Sequence, residues 1–130
     1  MRVRAIVCLT FLVAASALGF AQQDMRAELE HYQLVLAILT SEVENLSAEL
    51  ETANASLEEA RASYEEVAKI ANRSEDPRVW EKRKEAGDQL RFVRNEVSAL
   101  RSALDNKQYE QHQTKEMITA IQALLKTGLK

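Results

Sequence analysis

The strongest constraint on this chain is an unbroken heptad pattern over residues 25–71. Apolar or aromatic residues recur there at alternating steps of four and three for more than six heptads. A repeat of this length is typical of a helix that packs along a narrow seam against another helix, as in coiled coils. The residues of this first seam are Met25, Leu29, Tyr32, Leu36, Leu39, Val43, Leu46, Leu50, Ala53, Leu57, Ala60, Tyr64, Val67 and Ala71.

The first 21 residues have the pattern of a secretory signal peptide. Arg2 and Arg4 form a short basic start, residues 5–18 carry no charge, and Gly19 and Ala21 supply small residues for a cleavage site. The apolar run is short for a bilayer span, which needs about 20 residues. We therefore expect residues 1–21 to be cleaved and the protein to be periplasmic or secreted. Membrane attachment would follow only if this segment were retained.

Composition argues against several classes of function. The single cysteine, Cys8, lies in the predicted signal peptide, so the mature chain would have no thiol for disulfides, catalysis or zinc binding. Without Arg2 and Arg4, the 17 basic residues fall to 15 against 20 acidic ones, which gives a net charge of −5. This acidity argues against nucleic-acid binding and against a basic membrane-surface helix. Three glycines and one proline are too few for a turn-rich β or α/β fold.

The clear break in the helical pattern comes just before Pro77. Asp76 followed by Pro77 is the pattern of a helix cap with proline at the first helical position. A short loop between two long helices favours an antiparallel hairpin. We therefore predict an all-α fold of two long antiparallel helices, residues 22–72 and 77–130, with a loop at 73–76. They would form a coiled-coil hairpin, and dimerisation into a four-helix bundle is an open alternative. The second seam consists of Val79, Arg83, Ala86, Leu90, Val93, Val97, Leu100, Leu104, Lys107, Gln111, Thr114, Ile118, Ile121 and Leu125.

Two irregular features of the sequence would lie at the same level along this hairpin. Lys107, Gln111 and Thr114 make the second seam polar where it would lie opposite the apolar first seam near Leu39. The first helix is also apolar on all sides at residues 34–39. The second helix could bend away, the seam could shift register, or another chain could cover the surplus; a locally thicker core is the plainer alternative. The predicted partner-binding residues are Leu34, Val35, Leu36, Ile38, Leu39, Ile118, Ile121, Leu124 and Leu125.

No residue pattern indicates catalysis or a bound cofactor. His31 and His112 fall on outward columns of the two helices, and two solvated histidines are favoured over a two-histidine metal site. The chain contains no metalloprotease, phosphate-loop, dinucleotide or nucleophile-elbow motif. We therefore expect a protein that is not an enzyme, with no cofactor and no small-molecule substrate.

The heptad pattern and the predicted signal peptide together indicate which class of function to expect. In these two features the chain resembles helical-hairpin adaptors, coiled-coil periplasmic chaperones and phage lysis subunits. The leading hypothesis is an exported structural or adaptor protein that self-associates or docks one component of an envelope or secreted assembly. The alternative is a periplasmic holdase-type chaperone for exported proteins. A third, weaker alternative is an envelope-spanning subunit anchored by its N-terminal segment.

Overall fold

The computed structural model describes residues 22–128, which form two long helices and no strand. Helix α1 spans Gln22–Ala71 and helix α2 spans Pro77–Gly128. The connection covers residues 72–76, where the sequence predicted a loop at 73–76. The all-α hairpin predicted from the sequence is therefore present. The predicted signal peptide, residues 1–21, and the last two residues lie outside the described part of the chain.

The start of α2 is fixed by side-chain hydrogen bonds within the loop. The backbone N–H of Arg78 donates to Asp76 Oδ1 at 3.0 Å, which caps the helix as the Asp-Pro pair predicts. The backbone N–H of Asp76 donates to Ser74 Oγ at 3.1 Å, and Trp80 Nε1 donates to the Ser74 carbonyl at 3.1 Å. Trp80 is nevertheless exposed, with the Arg83 guanidinium 5.2 Å from its ring centre. It therefore ties the loop to α2 rather than filling the interior of the hairpin tip.

The chain divides into two compact units. We call residues 22–41 and 108–128 the terminal unit and residues 42–107 the central unit. The core of the central unit consists of Ala53 and Leu57 from α1 with Leu90, Val93 and Val97 from α2. Leu50, Ala60, Tyr64 and Leu100 pack against it. All of these residues belong to the two predicted seams, so the core is a single layer between two helices.

The terminal unit has its own buried residues. Leu39 from α1 and Thr114, Ile118 and Ile121 from α2 are buried there. At the end of the hairpin, Gln22 Nε2 donates a hydrogen bond to the Gly128 carbonyl at 3.1 Å. All the buried residues of the stretch 22–128, in both units, are members of the two predicted seams. The heptad pattern therefore identified the inward-facing columns of both helices.

Two polar residues of the second seam, Lys107 and Gln111, are met by polar residues of α1. In the central unit, Lys107 Nζ lies 2.9 Å from Glu42 Oε2. In the terminal unit, Gln111 Nε2 donates to Thr40 Oγ1 at 3.0 Å. Buried Thr114 donates its hydroxyl to the Glu110 carbonyl of its own helix at 2.9 Å. The expected conflict between a polar and an apolar seam is thus resolved inside the chain, and α2 remains helical throughout residues 105–116.

Gly87 is predicted to be a weak point, since glycine inside a helix costs about 1 kcal/mol relative to alanine. A Cβ at this position would lie 3.4 Å from Cε2 of Tyr64, which is contact without serious overlap. We expect Gly87→Ala to raise the free energy of unfolding by about 0.5–1 kcal/mol, measured by urea denaturation. Gly87→Leu is the matched control: its larger side chain must displace the Tyr64 ring, so it should lose this gain. Equal stability of Gly87→Ala and Gly87→Leu would contradict the close approach of the Tyr64 ring to residue 87.

Candidate docking face

The outer surface of α1 carries exposed apolar side chains in the terminal unit. Leu34 is 62% exposed and Ile38 is 53% exposed. Residues four apart on a helix lie one above the other, so these two side chains form a single small patch. Val35, half-buried, lies between the patch and the seam. We call Leu34, Val35 and Ile38 the docking face.

The other predicted partner-binding residues have different environments. Leu39, Ile118 and Ile121 are buried in the terminal unit, where they form part of the interior of the hairpin. Leu36, Leu124 and Leu125 are half-buried. The structure therefore separates the nine residues into an interior group, an edge group and the three residues of the docking face, of which Leu34 and Ile38 are exposed. The docking face is the part that a partner can reach without opening the hairpin.

The polar stretch of α2 does not indicate a partner at the docking face. The sequence places an apolar turn of α1 and a polar part of the second seam at the same level of the hairpin. The hydrogen bond from Gln111 to Thr40 and the ion pair between Lys107 and Glu42 account for the polar seam within the chain. The apolar turn of α1 is the remaining indication of a binding surface at this level of the hairpin.

Further large apolar side chains are exposed outside the docking face. In the central unit these are Ile70, Trp80 and Phe92, of which Phe92 is 65% exposed. In the terminal unit Tyr109 is exposed as well. The heptad register predicts that they face outward, because none of them belongs to a seam. Single exposed apolar residues are normal on protein surfaces.

The central unit also has an open groove of about 490 Å³. Its floor contains the seam residues Ala53 and Leu100, and its walls carry the carboxylates of Glu49 and Glu96. Thr52, also in the wall, donates its hydroxyl to the Ala48 carbonyl at 3.1 Å. The lining contains no histidine, cysteine or lysine. Such a groove offers carboxylate and hydroxyl oxygens as hydrogen-bond acceptors.

The two histidines lie on separate surfaces with separate neighbours. His112 Nε2 lies 3.3 Å from Glu116 Oε1, one turn further along α2. The His31 ring packs edge-on against Tyr32 with ring centres 5.6 Å apart. Within residues 22–128, no three histidine, cysteine or acidic side chains are grouped so that they could hold a metal ion.

Tyr32 is the titratable group whose environment in the terminal unit is perturbed. Burial raises the pKa of its phenol, and the nearby Glu28 carboxylate raises it further. Both causes disfavour the phenolate, so the hydroxyl is held in its neutral form. Tyr32 belongs to the first seam, where its side chain is half-buried.

Comparison with known proteins yields no relative. No protein-family model, no characterised protein and no solved structure matches this chain. Any functional proposal therefore rests on the exposed surface and on the chemistry of its side chains.

Proposed function

We propose that the protein is an exported, non-enzymatic structural or adaptor protein built as a coiled-coil hairpin. It self-associates or docks one protein component of an envelope or secreted assembly through the docking face. Export rests on the signal-peptide pattern of residues 1–21. The binding role rests on the exposure of Leu34 and Ile38, one turn apart, on the outside of α1.

The docking face differs in charge from the rest of the outer surface of α1. In the central unit, exposed glutamates recur every seven residues at Glu44, Glu51, Glu58 and Glu65. Such a charged column keeps a helix solvated and discourages non-specific contact. An exposed leucine and isoleucine in an uncharged turn favour contact instead. Burying each of them against a partner contributes about 1.5–3 kcal/mol to the free energy of binding. A small apolar patch in a polar surface is typical of a protein-binding site.

A holdase-type chaperone is the second candidate. The exposure of Phe92, Ile70 and Trp80 in the central unit favours it, since scattered apolar side chains can hold many unfolded segments weakly. The two functions predict different partners. An adaptor engages one or a few proteins through the docking face, whereas a holdase engages many proteins through all exposed apolar positions.

Site-specific photo-crosslinking in cells distinguishes these functions. A photoreactive amino acid is placed at Leu34, at Ile38, at Phe92 or at Glu59, an exposed residue on the outside of α1. We expect a few discrete adducts from positions 34 and 38, at least five-fold more abundant than from position 59, and little from position 92. A broad smear of adducts from positions 34, 38 and 92 alike would support the holdase instead. Equal, weak labelling at all four positions would contradict both functions.

A further inference from the structure

One flank of the central unit carries charges of opposite sign on its two helices. Each residue turns an α-helix by about 100°, so residues that directly follow a seam residue lie on one flank of an antiparallel pair, and residues that directly precede one lie on the other. We call the first of these, within residues 42–107, the mixed-charge flank. Its acidic column on α1 is Glu44, Glu51, Glu58 and Glu65, and its basic residues on α2 are Lys84, Arg91, Arg94 and Arg101. All eight are exposed.

The sum of charges on each helix shows that this flank is complementary to itself. Arg61 on α1 and Asp105 on α2 are the remaining charged residues of the flank. Four glutamates against Arg61 leave −3 on α1, and four basic residues against Asp105 leave +3 on α2. The other flank of the central unit lacks this balance, because it carries four glutamates and no basic residue on α1, while two acidic and two basic residues cancel on α2.

The two helices do not use these opposite charges to bind each other. Arg61 pairs with Glu58 at 2.9 Å and Arg91 with Asp88 at 3.9 Å, in each case within one helix. Within residues 22–128, no ion pair joins an acidic residue of this flank on α1 to a basic residue of it on α2. The two charged columns are therefore available to a partner that presents the reverse order of signs.

Contacts across the central unit fix which residues of α1 and α2 lie level. Glu42 pairs with Lys107, and the Tyr64 ring lies beside Gly87, so level residues have numbers that total about 150. The charges of both helices recur at a spacing of seven residues, which is about 10 Å along a helix. The two columns therefore have the same repeat and can match at several levels at once.

The acidic column lies level with basic residues along most of its length. Glu44 is the exception, because it lies level with Asp105 at the end of the flank. At the other three levels the signs are opposite. The matching residues are Glu65 with Lys84, Glu58 with Arg91, and Glu51 with the turn between Arg94 and Arg101.

We propose that a second copy of this chain binds the mixed-charge flank through its own mixed-charge flank. A two-fold axis parallel to the helices places α1 of each copy over α2 of the other at the same level, so each acidic column faces basic residues. A two-fold axis across the helices would place α1 over α1, and repulsion between the glutamates disfavours it. The charges thus select one arrangement, a bundle of four helices with antiparallel neighbours. This inference goes beyond the proposed function, since the interface does not include the docking face.

The exposed Trp80 lies on the same flank. It directly follows the seam residue Val79, its side chain is 46% exposed, and the Arg83 guanidinium lies 5.2 Å from its ring centre. Tryptophan and arginine are enriched among the residues that contribute most to protein interfaces. On α1, the residue of this flank at the same level is Ala68, whose small side chain leaves room for the ring of the other copy.

Most contacts in this dimer are between exposed charges, so it should be weak and sensitive to salt. Sedimentation of the chain as isolated from its cells, over about 1–500 µM, covers the range of weak association. We expect a reversible monomer–dimer equilibrium whose dissociation constant rises at least ten-fold when salt is raised from about 0.05 to 0.5 M. A monomer at every concentration in low salt overturns the proposal.

Charge reversal tests the predicted pairing, because two variants that fail alone should bind each other. Glu51→Lys with Glu65→Lys makes the flank net basic on both helices, and Lys84→Glu with Arg101→Glu makes it net acidic on both. Each variant alone should dimerise at least ten-fold more weakly than the unmodified chain. An equimolar mixture should recover dimerisation, since α1 of each variant then faces an α2 of opposite charge.

Glu59→Lys with Glu66→Lys is the matched control. It makes the same two changes, seven residues apart, at exposed positions of α1 on the other flank, and it should leave the dissociation constant unchanged. Circular dichroism should show the same helix content in all variants, because every substituted residue is exposed. No recovery in the mixture, or an equal effect of the control, overturns the pairing.

Fluorescence of Trp80 gives a second readout, since it is the only tryptophan of the chain. Its emission should shift to shorter wavelength as the dimer forms, because the second copy excludes water from the indole, and the shift should disappear in the two charge-reversed variants measured alone. A dimer in sedimentation without this shift would place the contact elsewhere and contradict the proposal. The docking face and its crosslinking test are unaffected by either result.

Discussion

Replacing Leu57 by alanine should lower the free energy of unfolding by about 2–5 kcal/mol. Leu57 is 7% exposed and belongs to the cluster formed with Ala53, Leu90, Val93 and Val97. This core is a single layer between two helices, so no second layer of residues can move in to fill the space that the leucine leaves. Since small domains have total stabilities of about 5–15 kcal/mol, the loss would remove a large fraction of the stability.

Urea denaturation followed by circular dichroism at low micromolar concentration measures this effect. Leu34→Ala is the matched control, because it makes the same chemical change at a side chain that is 62% exposed. Its effect should stay within about 0.5 kcal/mol, as for other surface substitutions. Leu57→Met, which conserves volume, should lose less than about 1.5 kcal/mol. Equal losses at Leu57 and Leu34 would mean that the described core does not hold the hairpin together.

Replacing Lys107 by glutamate should lower the free energy of unfolding by about 1–2 kcal/mol. The substitution removes the 2.9 Å ion pair with Glu42 and sets two carboxylates opposite each other. The side chains of Lys107 and Glu42 are 35% and 43% exposed, so water screens part of the interaction and the effect stays below that of a buried pair. Adding Glu42→Lys restores opposite charges in reversed order and should recover most of the loss.

The double-mutant cycle of Lys107→Glu and Glu42→Lys measures the coupling between these two residues. Its coupling energy should fall as salt is raised from about 0.05 to 0.5 M, since screening weakens partly exposed pairs. Lys115→Glu serves as the control, because it makes the same change at an exposed position of α2. If the reversed pair is no more stable than the single variants, Lys107 and Glu42 do not contribute to the pairing of the helices.

The polar residues of the second seam have a further consequence for the hairpin. An apolar seam alone would be nearly as favourable after a shift of one heptad, because leucine, valine and alanine recur at the same spacing. The Lys107–Glu42 pair in the central unit and the Gln111–Thr40 hydrogen bond in the terminal unit form only when each helix has the observed register. Polar groups at single seam positions are known to set register in this way at some loss of stability.

Local sequence determined most of the architecture. The 4-3 spacing of apolar residues identified the inward columns because the helical period puts residues three and four apart on one face. Asp76 and Pro77 located the start of α2, because a capping carboxylate and a fixed φ angle act on neighbouring residues only. These features depend on separations of a few residues, so no knowledge of the other helix is needed to recognise them.

Only the tertiary structure decided which residues of the candidate surface are available. Leu39, Ile118 and Ile121 had the same apolar character in the sequence as Leu34 and Ile38, yet the first three are buried and the last two exposed. The heptad pattern predicted a mismatch between the polar stretch of α2 and the apolar first seam, because it places seam residues opposite seam residues only. Glu42 and Thr40 stand beside the first seam rather than in it, and their side chains reach Lys107 and Gln111 from there. Contacts between residues about 65–71 positions apart depend on the loop and on the offset of the helices, which heptad periodicity alone does not contain.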